Sequence, residues 1–162
     1  MGETIKVGMA DLKICKEPDC LTTIGLGSCV GIALYDPLTK ISGLAHIMLP
    51  DSTQIKNNSV IAKFADTGIK KLYDDMIKAG ANRTRIVAKI AGGARMFALK
   101  NAATSSINIG DRNVEASKAM LKQLRIPLLA EDTGLNYGRT VILDSNTGDY
   151  IIRSVGKDTK TI

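Results

Sequence analysis

Residues 22–49, TTIGLGSCVGIALYDPLTKISGLAHIML, contain two apolar segments separated by a turn sequence. The segments 29–36 and 41–49 are apolar at nearly every position, which is typical of strands that are buried on both faces. Between them, DPLT favours a tight turn, because Pro37 presets the backbone angle needed at the second turn position. The stretch therefore predicts a β-hairpin inside the protein.

The same hairpin carries the single histidine of the chain and one of its three cysteines. If Asp36 pairs with Thr39, Cys29 lies directly opposite His46, with about 4.5–5.5 Å between the Cβ atoms. A thiol beside an imidazole can form a nucleophile–base pair, and a neighbouring imidazolium favours the thiolate. A buried structural thiol and a hydrogen-bonded core histidine fit the pattern as well, so spacing alone leaves both interpretations open.

The residues around Cys29 suggest the remaining parts of a catalytic site. Gly25 and Gly27 allow the backbone to turn tightly before the cysteine. The backbone amides of Ser28 and Cys29 would then point towards an oxyanion. Thr23, at the end of the preceding predicted strand, is the candidate to orient the imidazole through its hydroxyl or its carbonyl.

The rest of the chain alternates short apolar segments with two helical patterns. Apolar spacing predicts helices from Val60 to Ala79 and from about Asp111 to Arg125. Further strands are predicted in these segments: three between residues 5 and 24, then 84–91, 126–132, and a hairpin around 145–149. This pattern predicts an α/β or α+β layered sandwich with a mixed β-sheet, hairpins and two main helices, in one domain over residues 1–162.

Composition narrows the class of protein. The 162 residues carry a net charge of +6 and 44% hydrophobic residues, which is ordinary for a globular protein with one core. Basic residues are spread along the chain and are not interleaved with aromatics, so a nucleic-acid reader is not indicated. No long apolar run predicts a membrane span. Three cysteines without an export signal indicate free thiols in a reducing cytoplasm, with Cys15 and Cys20 structural, and their spacing matches no zinc site.

Five blocks of the sequence resemble one protein family. TIGLGSCVGIALYD (23–36) followed by GLAHIMLPDS (43–52) resembles CheD, the chemoreceptor glutamine deamidase of bacterial and archaeal chemotaxis. The other blocks are KFADTGIKKL (63–72), KIAGGARMF (89–97) with INIGDRNVEA (107–116), and LLAEDTGLNYGRTV (128–141). They follow in one order over nearly the whole chain. One departure is Leu135, which replaces the second glycine of the family's EDTGG block.

The resemblance implies a cysteine hydrolase that converts receptor glutamines to glutamates through a thioester and releases ammonia. The family's nucleophile falls on Cys29, its histidine on His46 and its third triad member on Thr23, with no metal or organic cofactor. The implied fold is that of CheD and of the catalytic domain of cytotoxic necrotising toxins.

The resemblance also implies partners. Chemoreceptors are the protein substrate, and a CheC-type phosphatase is the expected regulator, for which an exposed Phe97 would be the anchor. Two alternatives remain. The same nucleophile can hydrolyse receptor methyl esters, or the protein can act chiefly as a regulator that binds the phosphatase.

Overall fold

The computed structural model describes residues 2–96 and 108–162, which form ten strands and two α-helices. In chain order the elements are β1 (Thr4–Lys6), β2 (Asp11–Lys16), β3 (Cys20–Leu26), β4 (Val30–Asp36), β5 (Ile41–Ile47), α1 (Ala65–Lys78), β6 (Val87–Gly92), α2 (Ile109–Gln123), β7 (Leu128–Thr133), β8 (Arg139–Asp144), β9 (Tyr150–Arg153) and β10 (Lys160–Thr161). Short 3₁₀ turns lie at Ser52–Gln54 and Ile61–Lys63.

The strands form two five-stranded sheets, each of which mixes parallel and antiparallel pairs. The first sheet has the order β1-β3-β8-β9-β10, in which only β1 and β3 are parallel. The second has the order β2-β5-β4-β6-β7, in which only β6 and β7 are parallel. Helices α1 and α2 pack on the second sheet. The predicted α+β layered sandwich is confirmed, with the strands divided between two sheets.

The hairpin of β4 and β5 lies at the centre of the core and is buried at every position, as the sequence predicts. Val30, Ile32 and Leu34 on one face of β4 pack with the helices. Ala33 on the other face, together with Leu44 of β5, packs against the first sheet. Two apolar layers therefore share this hairpin, which explains why its sequence lacks the alternation of a half-exposed strand.

The predicted register of the hairpin is wrong. Asp36 pairs with Ile41 and not with Thr39, so the turn contains the four residues Pro37–Lys40. The cause is the buried Asp36 carboxylate, which accepts hydrogen bonds from turn amides and forms an ion pair with Arg85. Burial alone would raise the pKa of Asp36, but these donors together lower it well below its usual range.

Most predicted elements are present, with shifted ends. Helix α1 begins at Ala65 and not at Val60, because a 3₁₀ turn precedes it and Phe64 has an extended backbone. Helix α2 begins two residues before the predicted Asp111. Within the described residues, neither helix has the length and apolar character needed to cross a bilayer.

Candidate active site

Thr23 and His46 meet between the two sheets. Thr23 lies on β3 of the first sheet and His46 on β5 of the second, and both side chains are fully buried. The Thr23 hydroxyl lies 2.7 Å from His46 Nδ1 and donates a hydrogen bond to the carbonyl of Val7 over 2.8 Å. The structure therefore joins the predicted imidazole and its predicted orienting residue across the interior.

This arrangement selects one tautomer of His46. A hydroxyl has a single proton, and the carbonyl of Val7 can only accept, so the Thr23 proton is directed to Val7. Thr23 must then accept from Nδ1–H of the imidazole. This assignment leaves a lone pair on Nε2, and Nε2 has no hydrogen-bond partner among the described residues. The imidazole is thus prepared to accept a proton at Nε2.

Cys29 lies diagonally from His46 and not directly opposite it. The residue opposite His46 is Gly31, two positions after Cys29, because the register differs by two residues from the predicted one. A shift of two keeps the same face, and Cys29 packs in the same layer between the sheets as Ala33. Diagonal neighbours lie about 7–8 Å apart, within reach of longer side chains. Gly31 adds no side chain beside this pair.

Burial keeps both members of the pair neutral at rest. It raises the pKa of the Cys29 thiol, an effect that the cysteine's own backbone amide partly offsets. It also lowers the pKa of His46. These two shifts favour a neutral thiol and a neutral imidazole in the free protein over the expected thiolate–imidazolium pair.

The loop before Cys29 turns tightly and is hydrogen-bonded to the segment after β6. Gly25 has φ +75° at a bulge of β3 against β8, as its predicted role in a tight turn requires. The carbonyls of Gly27 and Cys29 accept hydrogen bonds from the segment after β6, both over 2.8 Å. Within the described residues, the amides of Ser28 and Cys29 donate to no backbone oxygen. These two amides are available to an oxyanion beside the thiol.

Comparison with known proteins places the chain in a family. The family model for CheD, described as CheD chemotactic sensory transduction, matches residues 48–154. A protein of Lachnoclostridium phytofermentans with the curated name "Probable chemoreceptor glutamine deamidase CheD" is 59% identical over the full length of both chains. The chain belongs to the CheD family.

Further relatives carry the same curated name. The protein of Caldanaerobacter subterraneus is 54% identical over 99% of each chain. That of Moorella thermoacetica is 52% identical over 99% of this chain and 96% of that protein. Among solved structures, this CheD-family chain is similar to the Bacillus licheniformis hypothetical protein YfiH, with TM-score 0.47 and 18% identity over 72% of this chain and 47% of that one.

Leu135, at the position where the resemblance to CheD implies a second glycine, has a left-handed backbone conformation of the kind that glycine favours. Its φ is +59°, its side chain is 63% exposed, and its carbonyl accepts a hydrogen bond from the Arg95 amide. The left-handed conformation costs a residue with a Cβ about 1–2 kcal/mol. The loop is braced by the buried Arg139, which binds Asp132 and the carbonyl of Gly134. This CheD-family chain thus forms the turn without the second glycine.

One buried polar residue of the site was missed by the sequence analysis. Asn113 of α2 is fully buried, and its Nδ2 donates to the carbonyls of Ser28 and Met48. The helical pattern predicts that Val114, Ser117, Leu121 and Leu124 face inward, and Asn113 was not included although it lies four residues before Ser117. The signal in the sequence was the place of Asn113 in INIGDRNVEA (107–116), one of the blocks that resemble the CheD family.

The remaining predicted residues lie away from this pair or outside the described chain. Cys15 contacts the Ser145 hydroxyl and Cys20 lies near Asp144, which agrees with a structural interpretation. Phe97 lies outside the described residues. Within the described residues, no group of three His, Cys, Asp or Glu side chains is arranged to hold a metal ion.

Replacing Thr23 tests the orienting bond. Thr23→Val keeps the side-chain shape but leaves both the Nδ1–H of His46 and the carbonyl of Val7 without a partner. We expect the lost hydrogen bonds to cost about 1–3 kcal/mol, which corresponds to about 5–160-fold in kcat where the cost falls on the transition state. Thr23→Ser retains the hydroxyl and should keep most of the activity. Steady-state kinetics of the two variants provide the measurement, and equal kcat values would contradict an orienting role.

Proposed function

We propose that this CheD-family protein deamidates glutamine side chains of chemoreceptors, with Cys29 as nucleophile, His46 as base and acid, and Thr23 as the residue that orients His46. The curated names of its full-length relatives support the reaction. The observation that carries the mechanism is the Thr23–His46 hydrogen bond, which leaves Nε2 as a proton acceptor on the face that Cys29 shares.

The first half of the reaction forms a thioester. Nε2 of His46 takes the proton of the Cys29 thiol while the sulfur attacks the side-chain carboxamide carbon of the glutamine. Negative charge develops on the carboxamide oxygen, where the amides of Ser28 and Cys29 donate to it. The imidazolium then gives its proton to the leaving nitrogen. The C–N bond breaks, ammonia departs, and a γ-glutamyl thioester remains.

The second half restores the enzyme. His46 takes a proton from a water molecule, whose oxygen attacks the thioester carbonyl and forms a second tetrahedral species at the same amides. The C–S bond breaks, the sulfur recovers its proton from the imidazolium, and glutamate is released. Each proton that His46 accepts is returned within the same half-reaction, so the chain needs no external acid or base.

The same groups can hydrolyse an ester, because methanol can replace ammonia as the leaving group. Receptor methyl esters are therefore the alternative substrate of this nucleophile. The CheC-type phosphatase as regulator, the regulatory role as alternative function, the cytoplasmic location and the single domain over residues 1–162 stay predictions from the sequence.

Mass spectrometry of a purified receptor tests the proposal. Wild-type protein should convert selected glutamines to glutamates, with the mass change of replacing –NH₂ by –OH and release of ammonia. Cys29→Ala should abolish the conversion, whereas Cys15→Ala and Cys20→Ala should retain it, since those thiols lie beside Ser145 and Asp144. Unchanged conversion by Cys29→Ala would refute the proposal, and methanol release without ammonia would identify an esterase.

A further inference from the structure

A single buried side chain connects the two segments that carry the proposed nucleophile and base. The Nδ2 group of Asn113 lies 2.9 Å from the carbonyl of Ser28 and 3.0 Å from the carbonyl of Met48. Ser28 immediately precedes Cys29, and Met48 lies two residues after His46. One amide group therefore binds both segments at once, from a third element that belongs to neither.

Packing alone does not account for an amide at this position. Asn113 is fully buried, and its Oδ1 has no partner among the described residues. A buried polar atom without a partner costs about 1–3 kcal/mol, and an apolar side chain would avoid that cost. The amide supplies what leucine lacks, namely two donor hydrogens on one nitrogen.

Helix α2, which carries Asn113, packs closely against the segment that follows β6. A Cβ added to Gly110 would lie 2.5 Å from the carbonyl oxygen of Ala94 and 2.6 Å from that of Gly93. The amides of Gly93 and Ala94 in turn bind the carbonyls of Cys29 and Gly27. The first turn of α2 thus packs directly on the backbone that supports the Cys29 loop, so the donor at Asn113 has a fixed place relative to it.

We propose that Asn113 is a positioning residue that sets the distance and direction from the Cys29 sulfur to His46 Nε2. Its amide donates to the backbone carbonyls of Ser28 and Met48, and it acts by holding these two backbone segments together. The proposal rests on the proposed roles of Cys29 and His46. A misplacement of about 1 Å in such a pair can cost about 100-fold in rate.

Kinetics of Asn113→Leu test the proposal. This variant keeps the branching of the side chain and removes both donors, so kcat should fall by about 100-fold with little change in KM, because the substrate loses no contact. Asn113→Ala leaves room for water at the two carbonyls and serves as a second variant if the leucine does not fold. The matched control is Ser117→Ala. Its buried hydroxyl donates to the Asn113 backbone carbonyl within α2, so this variant leaves both donors of the Asn113 side chain in place and should leave kcat unchanged. A wild-type kcat in both Asn113 variants would overturn the proposal.

Alkylation of Cys29 separates positioning from general loosening. In the otherwise wild-type protein, Asn113→Leu should slow iodoacetamide labelling of Cys29, because His46 no longer receives the thiol proton efficiently. In a His46→Ala background the same change should have no effect, since there is no base left to position. An equal fold-change in both backgrounds, or faster labelling in both, would show a structural role only. If His46→Ala or Cys29→Ala retains deamidation, the proposed function itself is refuted, whatever the Asn113 variants show.

Discussion

His46→Asn is expected to lower kcat for receptor deamidation by about 10²–10⁴-fold, the usual contribution of a general acid–base residue. The asparagine amide can occupy the place of Nδ1–H and donate to the Thr23 hydroxyl, so the hydrogen bond between the two sheets is preserved. The variant lacks Nε2, the atom that we propose takes the thiol proton. Steady-state kinetics measure the loss, and a kcat within a few-fold of wild type would contradict the role of His46.

The same variant has a second signature in its dependence on pH. Burial lowers the pKa of His46 from 6.5, so as the pH falls the unfolded chain binds a proton before the folded chain does. The free energy of unfolding of the wild type should therefore decrease as the pH falls from about 7 to about 5, with the unfolded-state pKa near 6.5. In His46→Asn this contribution is absent. Urea unfolding across this range should give the shallower pH dependence for the variant.

Gly92→Ala is expected to have the largest effect on stability. A Cβ at this position would lie 2.2 Å from the carbonyl oxygen of Cys29, and the backbone has φ +112°. Overpacking costs about 1–3 kcal/mol and a strained backbone costs about 1–3 kcal/mol, so we expect a loss of about 2–6 kcal/mol. The Cys29 backbone must also move, so the remaining folded protein should deamidate receptors far more slowly. Urea unfolding and kinetics measure the two effects.

Gly156→Ala is the matched control for the backbone strain. Gly156 also has positive φ, +73°, but no atom lies within 4 Å of an added Cβ. This variant should therefore show the strain alone, about 1 kcal/mol, with activity unchanged. If both alanine variants lose the same stability and neither loses activity, close contact with the Cys29 carbonyl does not matter to the site.

Much of the fold could be predicted because apolar spacing reports burial. The buried hairpin was recognisable from two continuous apolar segments, and both helices from their period. The register of the hairpin could not be predicted, because it depends on Asp36. The Asp36 carboxylate binds Arg85, which lies far away in the sequence, and nearby turn amides. No local pattern contains that ion pair. The division into two sheets likewise depends on long-range pairing, such as β3 with β8.

The sequence indicated which residues form the candidate site but not how they are arranged. The family blocks and the glycines before Cys29 indicated the nucleophile, base and orienting residue, and these roles stay proposals. The neutral resting pair was not foreseen, because desolvation depends on how completely two sheets enclose Cys29 and His46. Asn113 was missed for a similar reason, since its two acceptors are backbone carbonyls that sequence cannot place.

The Thr23–His46 hydrogen bond connects the two β-sheets, so we expect the activity to depend on how closely the sheets pack. The Thr23 hydroxyl lies on one sheet and the imidazole on the other, so neither sheet alone holds the arrangement that the proposed reaction requires. A partial separation of the two sheets would stop turnover, although each sheet would keep its own hydrogen bonds between strands. Loss of activity should therefore report a separation of the sheets earlier than a change in strand or helix content does.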